Sequence, residues 1–271
     1  MTGSVDTPPR TALVTGASAG IGAAFAEVLA AHGFDLVLTA RRRDRLEALA
    51  RELTDRHGRR VMVEPADLAD RDAPRRLVEA IAGQGIAVDV LVNNAGYAVA
   101  GSYRRTTWTQ QADFIQVMVT APCELVHRLL PAMIERGYGR IINVASLAGL
   151  VPASAGQTLY AASKAFLIKF SQSLALEVAP YGVHVTAVCP GFTYTEFHDV
   201  LGNRDRMSRL PRFMWMDAAT VARQGYEASM AGQVVYVNGR VNRAIALLVR
   251  LLPERLTWAV ARRVTGKVRK L

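Results

Sequence analysis

Thr11-Ala12-Leu13-Val14-Thr15-Gly16-Ala17-Ser18-Ala19-Gly20-Ile21-Gly22 is an apolar run, then a glycine-rich turn, then the opening of a helical pattern. Glycines let the backbone turn tightly and approach a pyrophosphate, while the helix N-terminus supplies N–H donors and partial positive charge. The spacing is G-x-x-x-G-x-G rather than the more familiar G-x-G-x-x-G, and a turn of small packing residues is the competing explanation of the motif alone. Its place between strand and helix favours a dinucleotide site.

The same alternation continues outward. Apolar runs at Phe34–Ala40, Arg60–Pro65, Val88–Val92, Arg140–Ser146, Gly182–Cys189 and Gln233–Val237 are separated by stretches of helical period at Ile21–Ala31, Arg43–Arg56, Ala73–Ala82, Trp108–Glu135, Leu159–Ala179 and Ala218–Met230. Strands apolar throughout, joined by helices, imply a parallel sheet covered on both faces. The expected fold is α/β, a Rossmann-like doubly wound sheet of about seven strands with ligands beyond the strands' C-terminal ends. A polar arm over residues 1–10, a dinucleotide-binding catalytic domain over 11–239 and a basic helical extension over 240–271 are the expected divisions.

Composition bounds the rest. The 271 residues are 51% hydrophobic and 21% charged, enough for a full core and too apolar for intrinsic disorder. Two cysteines, Cys123 and Cys189, cannot make a disulfide framework, so a reducing, cytoplasmic compartment is expected. The arm Met1–Arg10 lacks the apolar core of a signal peptide. The uncharged stretch from Arg140 to Lys164 is long enough to span a bilayer, but its Asn143, Pro152 and Gln157 suit a buried strand and loop instead. The five histidines show no ligand spacing, so no metal is expected. From Arg240 onward nine Lys and Arg face Glu254 alone, so most of the +10 net charge lies in the extension. A nucleic-acid enzyme would carry such residues around its groove, and no nucleic-acid partner is expected.

Residues after each strand carry the chemistry. The second strand ends Ala40-Arg41-Arg42-Arg43, with no acid to take a ribose 2′-hydroxyl. Two guanidiniums there suit a 2′-phosphate, and hence NADP(H), against the alternative of a solvated basic helix start. Asp67-Leu68 and Asn93-Asn94-Ala95-Gly96 stand where an adenosine cleft would lie, although an N-cap and a turn explain them equally well. Ser146 ends the fifth strand, and Tyr160 and Lys164 share a helix face at i, i+4. A nearby ammonium favours a phenolate, as an acid/base tyrosine requires. A buried tyrosine with a snorkelling lysine is the commoner meaning of that spacing alone. Pro190-Gly191-Phe192-Thr193-Tyr194-Thr195 offers a rigid turn, backbone groups and hydroxyls at the same edge.

In this order, from about Arg10 to Val237, these pieces resemble the short-chain dehydrogenase/reductase family. The resemblance implies that Gly16, Ser18, Gly20, Ile21 and Gly22 hold the pyrophosphate, and that Arg41 with Arg42 holds the 2′-phosphate. It implies that Asp67 bonds adenine and that Asn93 with the following turn backs the adenosine ribose. Tyr160 becomes the acid/base, Lys164 binds the nicotinamide ribose and lowers the tyrosine pKa, Ser146 orients the carbonyl and Thr195 holds the carboxamide. A homodimer or homotetramer paired through Trp108–Glu135 and Leu159–Ala179 is also implied. One position departs: many members carry an asparagine, linking the lysine to solvent through water, where Gln116-Val117-Met118-Val119-Thr120-Ala121-Pro122 places Met118. A thioether accepts weakly and donates nothing, so a rerouted or slower proton relay is expected, with simple core filling as a compatible reading.

The irregular, aromatic stretch Phe192–Met216 suits a substrate lid for an apolar carbonyl or secondary alcohol, with His198 nearby and Asp217 as the following N-cap. In the extension Leu256, Val260, Val264, Val268 and Leu271 share one helical side opposite the basic residues. Such a helix either lies on an anionic membrane or packs on the domain or a partner subunit. The expected function is hydride exchange between NADP(H) and a hydrophobic, lipid-like carbonyl or alcohol. A catalytically weak NADP(H)-binding scaffold at a membrane surface is the second possibility.

Overall fold

The computed structural model describes residues 9–99, 101–152, 158–196, 211–253, 255–259 and 261–262. Nine strands, β1 (Thr11–Thr15), β2 (Asp35–Thr39), β3 (Val61–Val63), β4 (Val88–Asn93), β5 (Gly139–Val144), β6 (Val183–Cys189), β7 (Phe192–Thr193), β8 (Trp215–Met216) and β9 (Val235–Val237), occur among them. Seven form one parallel sheet in the order β3-β2-β1-β4-β5-β6-β9, and β7 pairs with β8. The chain reverses its direction of winding between β1 and β4, and the crevice at that switch point is where such sheets bind ligands.

The helices are α1 (Gly20–Ala31), α2 (Arg43–His57), α3 (Ala73–Gly83), α4 (Trp108–Ile115), α5 (Ala121–Glu135), α6 (Thr158–Val178), α7 (Ala218–Met230) and α8 (Arg240–Leu251). Strand alternation feeds two cores. Ala12, Val14, Val90, Val92 and Ile142 meet Phe25, Leu29 and Val221 on one face. Leu13, Leu91, Ile141 and Val185 meet Leu77, Leu125 and Leu174 on the other. Each face thus removes whole aliphatic side chains from water, at about 1.5–3 kcal/mol per residue.

Trp108–Glu135, expected as one helix, is interrupted by a π-helical segment at Gln116–Thr120. The run is long and apolar enough to cross a membrane by length and composition. Its Leu125, Val126, Leu129 and Met133 are instead packed into the second core. Side chains cap two of the helices: Thr107 and Gln110 make a reciprocal capping box on α4, and Asp217 accepts the Thr220 amide at 2.6 Å on α7, while Ser146 caps the 3-10 turn Leu147–Gly149, among the described residues.

Candidate active site

The glycine loop is held from beneath. The Thr15 hydroxyl donates to the Val92 carbonyl at 3.2 Å and accepts from the amides of Asn94 and Ala95 at 2.9 and 3.0 Å. Asn94 Nδ2 donates to the carbonyls of Thr15 and Gly16 at 2.9 and 3.3 Å. Gly16 takes φ +66°, and a Cβ on Gly22 would lie 2.3 Å from the Gly16 oxygen, so both positions need glycine. Helix α1 begins after Ala19 with no side-chain cap and no acid in its first turn. Its leading amides therefore face outward with the positive end of the helix dipole, a fit for a diphosphate. Ile21 is partly buried against the first core, so only its backbone faces that site. The bracing role of Thr15 and Asn94 has no signal in the sequence, where a strand-end threonine and a turn asparagine look ordinary.

Arg42 and Arg41 leave β2 differently. Arg42 donates to Ser18 Oγ through Nε at 3.3 Å and Nη2 at 3.0 Å, and to Glu196 Oε2 through Nη1 at 3.0 Å. Arg45 donates to the other Glu196 oxygen at 2.6 Å. Among the described residues Arg41 forms no ion pair, and its charge acts on Tyr97. Burial and Asp113 push that phenol up, with Arg41 opposing. Asp67 is exposed, one oxygen accepting the Ala69 amide at 3.1 Å.

Two residues expected on the adenosine side turn their side chains into the protein. Asn93 is 4% exposed, and its amide donates to Asn143 Oδ1 at 2.9 Å; Asn143 in turn donates to Ser171 at 2.9 Å. That side chain ties β4 to β5 inside the sheet, because a buried amide must find partners there. Leu68 is buried with Ala73, Val117 and Ala121, where an apolar side chain is most stable, leaving only its backbone toward the cleft.

Ser146, Tyr160 and Lys164 converge. Ser146 stands at the end of β5, accepts the Ala148 amide at 3.1 Å and donates to the Pro190 carbonyl at 3.5 Å. Its side chain also hydrogen-bonds the Tyr160 hydroxyl. Lys164 Nζ lies 5.7 Å from the centre of the Tyr160 ring and donates to the Val144 carbonyl at 2.7 Å. Burial pushes the Lys164 ammonium down to about 8, with Cys189 opposing. Burial also pushes the Tyr160 phenol above its ordinary value, partly offset by the Ser146 hydrogen bond. Loss of water thus outweighs the Ser146 hydrogen bond at the phenol. Cys189 is pushed up to about 12 by burial and remains an unreactive thiol.

The remaining groups lie on the adjacent edge. The Pro190 carbonyl accepts the Leu147 amide at 2.9 Å, joining the turn after Ser146 to the loop after β6. Thr193 is 5% exposed and bonds the Gly191 carbonyl at 3.2 Å, so its hydroxyl braces the loop. A Cβ added to Gly20 would meet the Thr195 methyl at 3.0 Å, placing Thr195 against the glycine loop. Of the expected lid, the ends are pinned: Tyr194 stacks on Trp215 at 4.7 Å, and its amide donates to the Met216 carbonyl at 3.0 Å. His198 and residues 197–210 lie outside the described residues. Met118 is 1% exposed within the π segment, its sulfur packed against Gly96 beside Ala95. Gln116 Nε2, in the same segment, is buried with no hydrogen-bond partner among the described residues.

A doubly wound sheet with a braced glycine loop and a Ser–Tyr–Lys cluster at its C-terminal edge defines a dinucleotide-type oxidoreductase. A family model for short chain dehydrogenases matches residues 10–205, and the chain belongs to that family. It is 39% identical over 239 residues to Nodulation protein G of Rhizobium sp. (strain N33), covering 85% of this chain and 96% of that one. It is 34% identical over 239 residues to the 3-oxoacyl-(acyl-carrier-protein) reductase FabG of Escherichia coli (strain K12), covering 85% and 96%. A solved short-chain dehydrogenase from Sphingobium yanoikuyae in complex with NADPH superposes with TM-score 0.79 at 31% identity, covering 90% of this chain and 96% of that chain.

Proposed function

We propose that the protein exchanges a hydride between NADP(H) and an apolar carbonyl or secondary alcohol, with Tyr160 as the acid/base. The observation that carries this is the Tyr160 hydroxyl bonded to Ser146 and flanked by the Lys164 ammonium, on the same edge as the glycine loop. The bound dinucleotide supplies or accepts the hydride. The α1 amides with Gly16, Ser18, Gly20 and Gly22 would hold its diphosphate, and Arg41 with Arg42 its 2′-phosphate. Asp67 and the backbone from Asn93 to Gly96 would line the adenosine. Lys164, Pro190, Gly191, Thr193 and Thr195 would border the nicotinamide half. The NADPH-bound relative supports this assignment.

Ser146 then orients the substrate oxygen, and Tyr160 gives it a proton. The protonated phenol is the form that carbonyl reduction consumes, and alcohol oxidation returns the proton to the same oxygen. An apolar substrate is supported by the small pocket at Tyr160, whose lining includes Val99, Phe114 and Leu159 beside Tyr103 and Gln111. A second cleft, of about 380 Å³, lies between Leu150, Val151 and Pro152 and the extension's Val249, Leu252, Thr257 and Trp258, and none of Ser146, Tyr160 and Lys164 lines it.

The extension also docks at its start. Asn242 is 5% exposed, donates to the Asn238 carbonyl at 2.8 Å and lies where a Gly191 side chain would. Its start is therefore packed on the domain, while Leu247, Leu248, Leu251, Leu256 and Trp258 farther along stay exposed; residues 254, 260 and 263–271 lie outside the described residues. Exposed Trp108, Phe166 and Leu176 on α4 and α6 suit pairing into a homodimer or homotetramer. The free thiols Cys123 and Cys189 suit a reducing compartment such as the cytoplasm.

A carbonyl panel graded in chain length, followed by NADPH absorbance with NADH in parallel, tests the proposal. Long apolar ketones should be reduced faster than short polar ones. Tyr160→Phe should lower kcat by about 10²–10⁴-fold while leaving NADPH affinity unchanged. Binding of NADPH without consumption by any carbonyl would favour a non-catalytic scaffold.

A further inference from the structure

Glu196 lies 154 residues from Arg42, yet its carboxylate joins Arg42 to Arg45 at 3.0 and 2.6 Å. Arg42 is at the same time tied to Ser18 of the glycine loop. Thr195, the preceding residue, rests against Gly20. The segment leaving β7 therefore crosses the mouth of the glycine loop and ends with an anion on the β2-end arginine. We propose that Glu196 is an internal competitor for the cofactor's 2′-phosphate, a specificity-determining carboxylate that occupies Arg42 until a more highly charged anion displaces it. This rests on Arg42 being a 2′-phosphate ligand, as assigned above.

Charge and geometry set the direction of the exchange. The other guanidiniums of this corner differ: Arg43 pairs with Glu47 at 3.5 Å, and Arg41 forms no ion pair among the described residues. Glu196 brings a single negative charge to two arginines. A phosphate monoester brings about −1.5 to −2 at neutral pH and three acceptor oxygens, so it outcompetes a carboxylate at the same fork. Arg42 and Arg45 hold the Glu196 carboxyl below the usual carboxylate range, so the competitor stays charged at neutral pH. A dinucleotide lacking the 2′-phosphate has nothing to exchange and leaves the pair in place. Arg42 and Glu196 are 42% and 48% exposed, so the pair is weak enough to be displaced and its effect modest.

The test measures binding by calorimetry of 2′,5′-ADP against ADP, and of NADPH against NADH, to the wild type, Glu196→Gln and Arg42→Ala. Glu196→Gln should tighten 2′,5′-ADP and NADPH by about fivefold, as expected for removing one or two exposed ion pairs. It should leave ADP and NADH within about twofold. Weaker binding of 2′,5′-ADP to Glu196→Gln would mean that Glu196 positions Arg42, and would overturn the proposal. An equal change for ADP and 2′,5′-ADP would reduce Glu196 to a staple of the fold and overturn it as well. If the wild type shows no preference for 2′,5′-ADP and Arg42→Ala changes nothing, the assignment of Arg42 itself falls. That result is distinct from an intact preference that Glu196→Gln does not move, which sinks the competitor alone.

Discussion

The glycine loop and the Ser146–Tyr160–Lys164 cluster stand at one edge of one sheet, built in opposite ways. The loop is made of backbone: two positions that need glycine, a threonine hydroxyl and an asparagine amide satisfy one another, and nothing there titrates. The cluster is made of side chains, two of which titrate: Lys164 is buried and Tyr160 partly so, and water has been removed from groups that prefer it. The loop adds to stability through its bonds, whereas the cluster costs stability in order to hold protons where they are useful. Substitutions should separate the two: damage to the loop lowers stability and binding together, and damage to the cluster lowers turnover without lowering stability.

Lys164→Met offers the largest effect and the sharpest test. The ammonium has its usual pKa near 10.5 in the unfolded chain and about 8 in the fold. Between those values the unfolded chain holds more protons, so wild-type stability should rise with pH from about 8 to 10.5. Below about 8 the group is charged in both states and its burial cost is fully present, roughly 3 kcal/mol at 1.4 kcal/mol per unit. Against this stands the hydrogen bond to Val144, worth about 1 kcal/mol. Lys164→Met should therefore raise unfolding stability at pH 7 by about 1–2 kcal/mol and abolish the rise above pH 8. Turnover should fall at least about 100-fold. Denaturant unfolding at pH 7 and pH 9.5 checks it, and equal slopes for both proteins would remove the contrast.

Gly22→Ala tests the other region. The new methyl would stand 2.3 Å from the Gly16 carbonyl and 2.4 Å from Asn94 Nδ2. The backbone carbonyl cannot give way cheaply, so a loss of roughly 2–3 kcal/mol is expected, typical of overpacking. Affinity for 2′,5′-ADP should fall at least about tenfold with it, since α1 would shift from its brace. Unchanged stability with weakened binding would mean that the loop is looser than its contacts imply.

This difference also explains what could be read from residues alone. Strand–turn–helix order, the seven runs and the Tyr160–Lys164 face are local patterns, whereas the sheet order β3-β2-β1-β4-β5-β6-β9 sets β1 beside β4, a pairing that no local pattern announces. Contacts between distant residues carry no such period. The Asn93–Asn143–Ser171 ladder spans 50 and 28 residues, which is why Asn93 was expected at a ribose. The Arg42–Glu196 pair spans 154. The π segment was invisible for another reason: a single residue of extra winding leaves the apolar pattern on either side nearly intact. The direction of the Tyr160 shift depends on burial, and burial at a sheet edge is decided by the loops that cover it.

Met118 sits between the two regions and gives the smallest expected effect. It is wholly buried, its sulfur packed on Gly96 of the turn that follows β4, inside the π segment that leads to α5. Met118→Asn would trade a well-packed thioether for an amide with four hydrogen-bonding positions. If the amide finds no partner, stability should fall by about 1–3 kcal/mol, the usual cost of an unsatisfied buried polar group. If it recruits water toward Lys164, the cost shrinks and the proton gains a second route from the cluster. The rate of carbonyl reduction should then change a few-fold, with its pH profile displaced, while NADPH affinity stays constant. A profile and rate identical to the wild type would make Met118 core filling and leave the Val144 carbonyl as the lysine's sufficient partner.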